Sequence, residues 1–329
     1  MFGVLGRGVL AVVFSLLCLG ASAQSVIRVT LQVPESHPIG QNWRAFQHIV
    51  DRETNGDVLL LMFPSGELFK DKEVPLAVGM GLVDAGSSLI GSYSDDVPAV
   101  DVMGLPFLFE SPDHLARAAA PGSEVRRLLD AEILKSTGAR VLWWQANGRN
   151  VYISRYGPIR WPDDMAGMRV RTYDRLHHPT VRALGGGAML TTERQQYGVF
   201  QQQDVEVGMT AATTVLSERL YEVTDHLTVS YDSAMEYVAV INDEYFQSLP
   251  PAHQTAIILA GKTVEAQLRQ ETTQAEEEAV SALRSKMQVI DLTPAERDEW
   301  RRATSSTALA HIKKRGSLAR KLYETIRQN

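Results

Sequence analysis

The chain has 329 residues, 33 Lys and Arg against 39 Asp and Glu, a formal charge of −6 and one cysteine, Cys18. A lone cysteine excludes an intramolecular disulfide and a multi-thiolate metal site. An acidic chain with no basic tract is a poor partner for nucleic acid or an anionic membrane, and at this length two domains with their own cores are expected.

Residues 1–23 read as an export signal: Arg7, an apolar run from Val9 to Leu19, then Ala21-Ser22-Ala23 as a small-x-small cleavage site. The run is too short to span a bilayer comfortably. Cleavage near Ala23 and a periplasmic location are therefore expected, with Gln24 as the mature first residue. A lipid anchor on Cys18 is disfavoured because Leu17 stands where lipoprotein processing needs a small residue. Removing the signal takes away Arg7 and Cys18, leaving 32 cationic against 39 acidic residues, or −7, and no cysteine.

In residues 26–33 the apolar positions alternate (Ile27, Val29, Leu31, Val33), the period of a strand with one buried face. After a turn over 34–40, Trp43, Phe46, Ile49 and Val50 recur at helical spacing. Asn55-Gly56 closes that helix, and 58–63 is a second apolar strand. The pattern continues with a helix at 72–81, a strand ending at Ser87-Ser88 and a proline-punctuated stretch over 98–109. One helix at 113–134 and a short strand at 140–145 follow. Alternating strands and helices predict a largely parallel sheet covered on both faces. Ligands of such sheets bind outside the carboxyl ends of the strands, where Gln32, Ser87, Ser88 and Arg149 are expected.

A second unit follows: strand 168–172, helix 178–184, extended 188–191, helix 193–202 and strand 205–209. Gly185-Gly186-Gly187 comes after a helix, so it does not fit a dinucleotide loop, and Ala260-Gly261-Lys262-Thr263 lacks the leading glycine of a phosphate loop and reads as helix. Pro250-Pro251 opens a helical region to about residue 287. At helix rise it is on the order of 50 Å long, enough to brace two domains. Thr293-Pro294-Ala295-Glu296 is a capping box that starts a new helix, and Gly316 divides it from a last one.

Between Trp143 and Tyr173 the sequence sets Arg149 and Arg169 at the mouths of predicted short strands. A guanidinium is permanently charged and grips a carboxylate with two parallel donors, so the pair suggests a site for a small organic anion. Surface ion pairs are the competing reading for both. No G-x-S-x-G or H-E-x-x-H occurs and His177-His178 are adjacent, so neither a catalytic constellation nor a metal site is expected. An enzyme on this frame would need an acid or base in the cleft, for which Glu193 and Glu206 are the candidates. His37 lies in the proline-rich turn after the first strand.

Several phrases in order resemble the DctP-type solute-binding proteins of tripartite ATP-independent periplasmic (TRAP) transporters. They include His37-Pro38, Thr54-Asn55-Gly56, Leu105-Pro106-Phe107-Leu108-Phe109, Asn147-Gly148-Arg149, Gly167-Met168-Arg169-Val170 and Leu220-Tyr221-Glu222-Val223. The resemblance covers essentially the whole mature chain. It implies a periplasmic binding protein-like fold, with two α/β domains, a hinged cleft and a long helix spanning both. The domains are expected at 25–147 plus 235–274 and at 148–234 plus 275–329.

The resemblance further implies an organic acid whose carboxylate pairs with Arg169, with Arg149 as the second cationic contact and no cofactor. Gln32, His37, Ser88, Thr172, Tyr173, Glu193 and Tyr231 complete the expected contacts. Met209 stands where relatives resemble one another in carrying an acid, and Thr210 where they often carry an amide. A smaller, more hydrophobic or aromatic carboxylate is the expected consequence, the competing reading being that Met209 merely packs between strand and helix. The implied partners are the small and large membrane subunits of such a transporter, served by a monomer, with a sensing role as the alternative.

Overall fold

A computed structural model describes residues 24–328, so the export signal expected over 1–23 lies outside the described residues. The chain opens as β1 (Ser25–Thr30), α1 (Pro38–Glu53) and β2 (Val58–Phe63), with β1 and β2 parallel. α1 begins ahead of Trp43, the first residue of the expected apolar spacing, because His37 caps it. The His37 Nδ1 accepts from the Ile39 N–H at 3.2 Å, and Pro38 occupies the first helical position. A 3₁₀ turn at Asp71–Glu73 leads into α2 (Val74–Gly79), β3 (Ala85–Leu89) and two more 3₁₀ segments, Ile90–Tyr93 and Pro98–Gly104.

The single helix expected at 113–134 is two, α3 (Pro112–Ala118) and α4 (Glu124–Thr137). Pro121 and Gly122, the latter at φ 82°, interrupt it, and Ser123 recaps the chain by accepting from the Arg126 N–H at 3.1 Å. β4 (Ala139–Ser154) then runs 16 residues, well past the expected end at 145. Asn147-Gly148 forms no turn; Arg149 lies inside a strand and not at its mouth.

The second unit comprises β5 (Arg169–Thr172), α5 (His178–Ala183), β6 (Gly187–Leu190), a 3₁₀ turn at Glu193–Gln195, α6 (Gln196–Gln201), β7 (Val207–Ala211), α7 (Ala212–Ser217) and β8 (His226–Val229). After it come β9 (Ala234–Asn242), α8 (Asp243–Ser248), α9 (Pro251–Leu283), β10 (Gln288–Asp291), α10 (Pro294–Lys314) and α11 (Gly316–Gln328).

The strand order is β2-β1-β3-β9-β4-β7-β5-β6, with β8 paired to β4 and to β10. β1, β2 and β3 are parallel, as are β5, β6 and β7, but β9 runs antiparallel to β3 and β4, and β4 antiparallel to β7 and β8. The sheet is thus mixed where a largely parallel one was expected. Each parallel group is the sheet of one lobe, and β4 and β9 cross between them. The pairing of β4 with β9 shifts register between Val141 and Trp143 and again between Ala146 and Arg149.

The second irregularity is fastened to the long helix. The buried Glu276 of α9 accepts from the Arg149 backbone N–H at 2.5 Å and from its Nε at 3.2 Å, while the guanidinium lies 3.6 Å from the Tyr231 ring centre. Gly148 sits at φ 91°, and a Cβ there would come within 2.9 Å of the Glu276 carboxylate, so only glycine fits.

Along its 33 residues α9 serves both cores. Ile257, Val264 and Leu268 pack with Trp43, Phe46 and Trp143, whereas Ala279, Val280 and Leu283 pack with Val151, Ile153 and Leu227. α10 carries the predicted capping box, and its Trp300 donates to the Arg160 carbonyl at 2.7 Å on the second lobe. α11 returns to the first: its Ala319, Leu322 and Ile326 share a cluster with Val100, Val102 and Leu129. The expected placing of the whole of 275–329 in the second lobe therefore fails for α11, whose apolar stripe is covered by the 98–104 segment and α4.

Asn42 of α1 ties three elements of the first lobe together. Its Oδ1 accepts from Trp143 Nε1 and Gln145 Nε2, each at 2.9 Å, and its Nδ2 donates to the Val264 carbonyl at 2.8 Å. Asn42→Ala would strand the Trp143 and Gln145 N–H donors in the interior, while the Val264 carbonyl keeps its bond within α9. We expect a loss of about 2–4 kcal/mol, read as a lower urea midpoint with little change in slope.

Candidate functional site

A cleft of about 560 Å³ opens between the lobes at the carboxyl ends of their parallel strands, where the loops of such sheets diverge and leave room for a ligand. The first lobe contributes Gln32 beyond β1, Ser65 and Gly66 beyond β2, the 70–73 segment, and Leu89 at the end of β3. From the second come Arg171 and Tyr173 at the end of β5, Leu190 at the end of β6 with the 191–195 segment after it, and Thr210 near the end of β7. Met235 and Tyr237 of the crossing strand β9 complete the lining.

Arg171 dominates the electrostatics. It is 1% exposed, and its donors go to neutral oxygens: Nη1 to the Met209 carbonyl at 2.7 Å, Nη2 to the Thr191 carbonyl at 3.3 Å and Nε to the Thr191 hydroxyl at 3.1 Å. Of five N–H donors, one on each Nη nitrogen is left over, the pair a bidentate carboxylate would take. Burial pulls its pKa down to about 10, partly opposed by Glu193, so the group stays charged at neutral pH. Among the described residues no carboxylate forms an ion pair with it.

Two partly buried acids also face the cleft, and a third, Glu73, is exposed at its rim. Glu193 accepts from the Tyr237 hydroxyl and the Thr214 hydroxyl, each at 3.2 Å. Behind it lies the imidazole of His37, 1% exposed, its Nε2 3.9 Å from Glu193 Oε1. Burial holds His37 below its ordinary pKa despite Glu193, and because Nδ1 accepts from Ile39, the neutral ring carries its proton on Nε2. Asp71 accepts from the Leu89 N–H at 3.2 Å and from the Ser92 hydroxyl. Burial raises its pKa to about 6, with Glu193 and Asp174 adding to the rise. Lys70, Lys72 and Arg194 stand exposed at the rim.

Behind the cleft the lobes touch. A Cβ on Gly91 would come within 2.6 Å of Asp174 Oδ2, and one on Gly104 within 2.3 Å of the Leu176 side chain. Asp174 is paired at 2.7 Å with the buried His177, whose other nitrogen meets the Tyr173 hydroxyl at 3.1 Å.

Of the expected contacts, Gln32, Tyr173, Glu193 and Thr210 line the cleft. Arg169 does not reach it. It begins β5 on the outer surface, exposed, with its guanidinium on Glu206 and the Gln203 carbonyl. That pairing also removes Glu206 as a cleft acid. Arg149 is turned away, held by Glu276 and stacked on Tyr231 beside a separate hollow lined by Gly148 and Arg269. Met209 contributes only its carbonyl: its side chain is fully buried in the core, so it cannot make one wall of the cleft more apolar. Ser88 and Thr172 are buried within their strands, Thr172 donating to the Met189 carbonyl at 3.4 Å.

Arg171 was missed although a signal existed. It shares a strand face with Arg169, but it lies two residues closer to the carboxyl end, where ligands bind.

Residues 30–314 match the family described as bacterial extracellular solute-binding protein, family 7 (DctP). The chain belongs to that family. It is 26% identical over 275 residues to a solute-binding protein of Verminephrobacter eiseniae, covering 82% of this chain and 81% of the relative. It is 25% identical over 234 residues to the C4-dicarboxylate-binding periplasmic protein DctP of Rhodobacter capsulatus, covering 70% and 69%. Among solved structures, the Bordetella pertussis extracytoplasmic solute receptor DctP7, binding pyroglutamic acid, superposes with a TM-score of 0.87 at 20% identity, covering 92% of this chain and 99% of that one. A TRAP periplasmic solute-binding protein of Sulfurospirillum deleyianum with bound succinate gives 0.84 at 23%, covering 91% and 98%. The fold is therefore that of the two-domain TRAP solute-binding proteins.

Asp71 generates a pH prediction. Its ordinary pKa is 3.8 and its folded value about 6, so between these the folded state holds more protons than the unfolded one and stability falls as pH rises. The cost of the buried charge is complete above pH 6. Asp71→Asn should raise Tm by roughly 2–5 °C at pH 8 and by much less at pH 4, measured by differential scanning calorimetry.

Proposed function

We propose that the chain is an extracytoplasmic solute receptor that captures a small organic acid by its carboxylate on Arg171 and delivers it to the membrane subunits of a TRAP transporter. The single observation that carries the reading is the Arg171 guanidinium: buried and charged in the cleft, bonded to three neutral oxygens and keeping one donor on each Nη nitrogen. A buried cation without a counter-charge is costly, and a carboxylate that enters with matched geometry removes that cost. Family membership and the likeness to receptors for pyroglutamate and succinate support the same class of ligand. The proposed lobes are 25–147 with 235–274 and α11, and 148–234 with the remainder of the C-terminal region. Ligand touching both lobes favours their closed arrangement by its differential affinity. The mature protein acts in the periplasm as a monomer without catalysis.

The test is a thermal-shift screen of carboxylates followed by calorimetric titration of the best hit. Binding to the folded state adds about 2.7 kcal/mol at a hundredfold excess over Kd, an easily measured shift. Arg171→Ala and Arg171→Gln should cost about 2–5 kcal/mol of binding, and Arg171→Lys most of that, because a point charge replaces a planar fork. Arg169→Ala, which removes only a surface ion pair, should change affinity by less than about threefold. An Arg171→Gln protein that binds as well as the parent overturns the proposal.

A further inference from the structure

The charges inside the cleft do not balance around a carboxylate alone. One cation, Arg171, is enclosed, while Lys70, Lys72 and Arg194 stand at the rim in solvent. Two partly buried carboxylates, Asp71 and Glu193, line the same space, with Glu73 exposed among the rim cations, and among the described residues neither Asp71 nor Glu193 forms an ion pair with a lysine or arginine. A ligand carboxylate on Arg171 neutralises it and leaves the two acids facing the rest of the ligand.

Both acids have acceptor capacity to spare. Each Glu193 oxygen takes one protein donor, Thr214 on one and Tyr237 on the other, and the Asp71 oxygens likewise take one each, from Leu89 and Ser92. A carboxylate oxygen has two lone pairs, so each oxygen can accept again. The third observation is His37. Its Nε2–H is buried, has no partner among the described residues and lies 3.9 Å from Glu193 Oε1. This neutral donor backs the Glu193 carboxylate on the side away from the ligand, and neither it nor the two hydroxyls supplies a counter-charge.

From this arrangement we infer that the cleft selects a carboxylate whose carbon chain carries N–H or O–H donors, an amino or hydroxy acid, over a plain dicarboxylate. The inference rests on Arg171 holding the carboxylate. A second ligand carboxylate would be set beside Asp71 and Glu193 with the same sign of charge. An ammonium or hydroxyl in that place donates to them, and an ammonium also restores the charge balance. Sites built to hydrogen-bond a donor reject analogues that lack it, because their buried acceptors are then left unpaired.

The experiment is calorimetric titration of the mature protein with a matched series: butanoate, its hydroxy and amino derivatives substituted at the α or γ carbon, and succinate, each with longer homologues. The parent should bind at least one donor-bearing acid roughly tenfold or more tighter than its unsubstituted and dicarboxylate counterparts. Glu193→Gln is nearly isosteric, and with Asp71→Asn it should collapse that ratio, more for an amino acid than for a hydroxy acid, since the amide oxygens still accept from either donor but no longer balance an ammonium's charge. Thermal unfolding of each variant checks that it is folded. The inference is overturned if the dicarboxylates bind more tightly than every donor-bearing acid, or if the folded double variant keeps the parental ratio. Failure of the anchor is separate: Arg171→Lys that leaves all affinities unchanged refutes the carboxylate site and not the donor ratio.

Discussion

Both lobes hang on one shared sheet, and the rest of the molecule is arranged around the two strands that cross it. β4 is paired with β9 along its first half and with β7 and β8 along its second, so no break in backbone hydrogen bonding marks the border between lobes. Continuous pairing resists shear, and rotation of one lobe against the other has to be taken up where the ladder is irregular. The shift between Ala146 and Arg149 is such a place, with Gly148 in the left-handed region. Glu276 bonds the backbone on its far side, so the long helix moves with that point. The cleft lies along β9, whose Tyr237 reaches Glu193 across it. Of the two crossing strands β9 lines the cleft, and it is paired with β4 at the irregularity.

The second constraint is electrostatic. A guanidinium at 1% exposure with no ion-pair partner among the described residues is unusual, and its cost is limited by three oxygen acceptors from the neighbouring strand and loop. These acceptors also fix the plane of the fork and so set the angle at which a carboxylate can approach. Glu193 sits close enough to favour the charged form of Arg171 without bonding to it. The site is therefore polarised across its width, with the cation on the β5 side and carboxylates towards the 71–73 turn and the start of the 193–195 turn.

Much of this was legible in the sequence, and the failures have physical causes. The opening β-α-β unit, the long bracing helix and the capping box at Thr293 follow from periodicity and end signals that act locally. β9 left no such trace, because both its faces are covered and all nine residues are buried, which erases the alternation a half-exposed strand would display. Asn147-Gly148 looks like a turn by composition, yet tertiary pairing turned it into a bulge inside β4. In the site, Arg169 and Arg171 are indistinguishable by residue type and by strand face. What separates them is depth along β5 and the presence of Glu206, which holds Arg169 through both its side chain and its backbone N–H. The latter contact is made between residues 37 apart in sequence and has no local signature.

The oxygens that steady Arg171 include the main-chain carbonyls of Met209 and Thr191, and a main-chain carbonyl is present whatever residue occupies the position. Side chain 209 can therefore drift during evolution, subject only to the packing of the core, while the guanidinium keeps its pose. Substitution there is a poor guide to what the receptor transports. Lineages that differ at 209 can share a ligand, and changes of diet should be written instead at positions 71 and 193, whose side chains themselves face the solute.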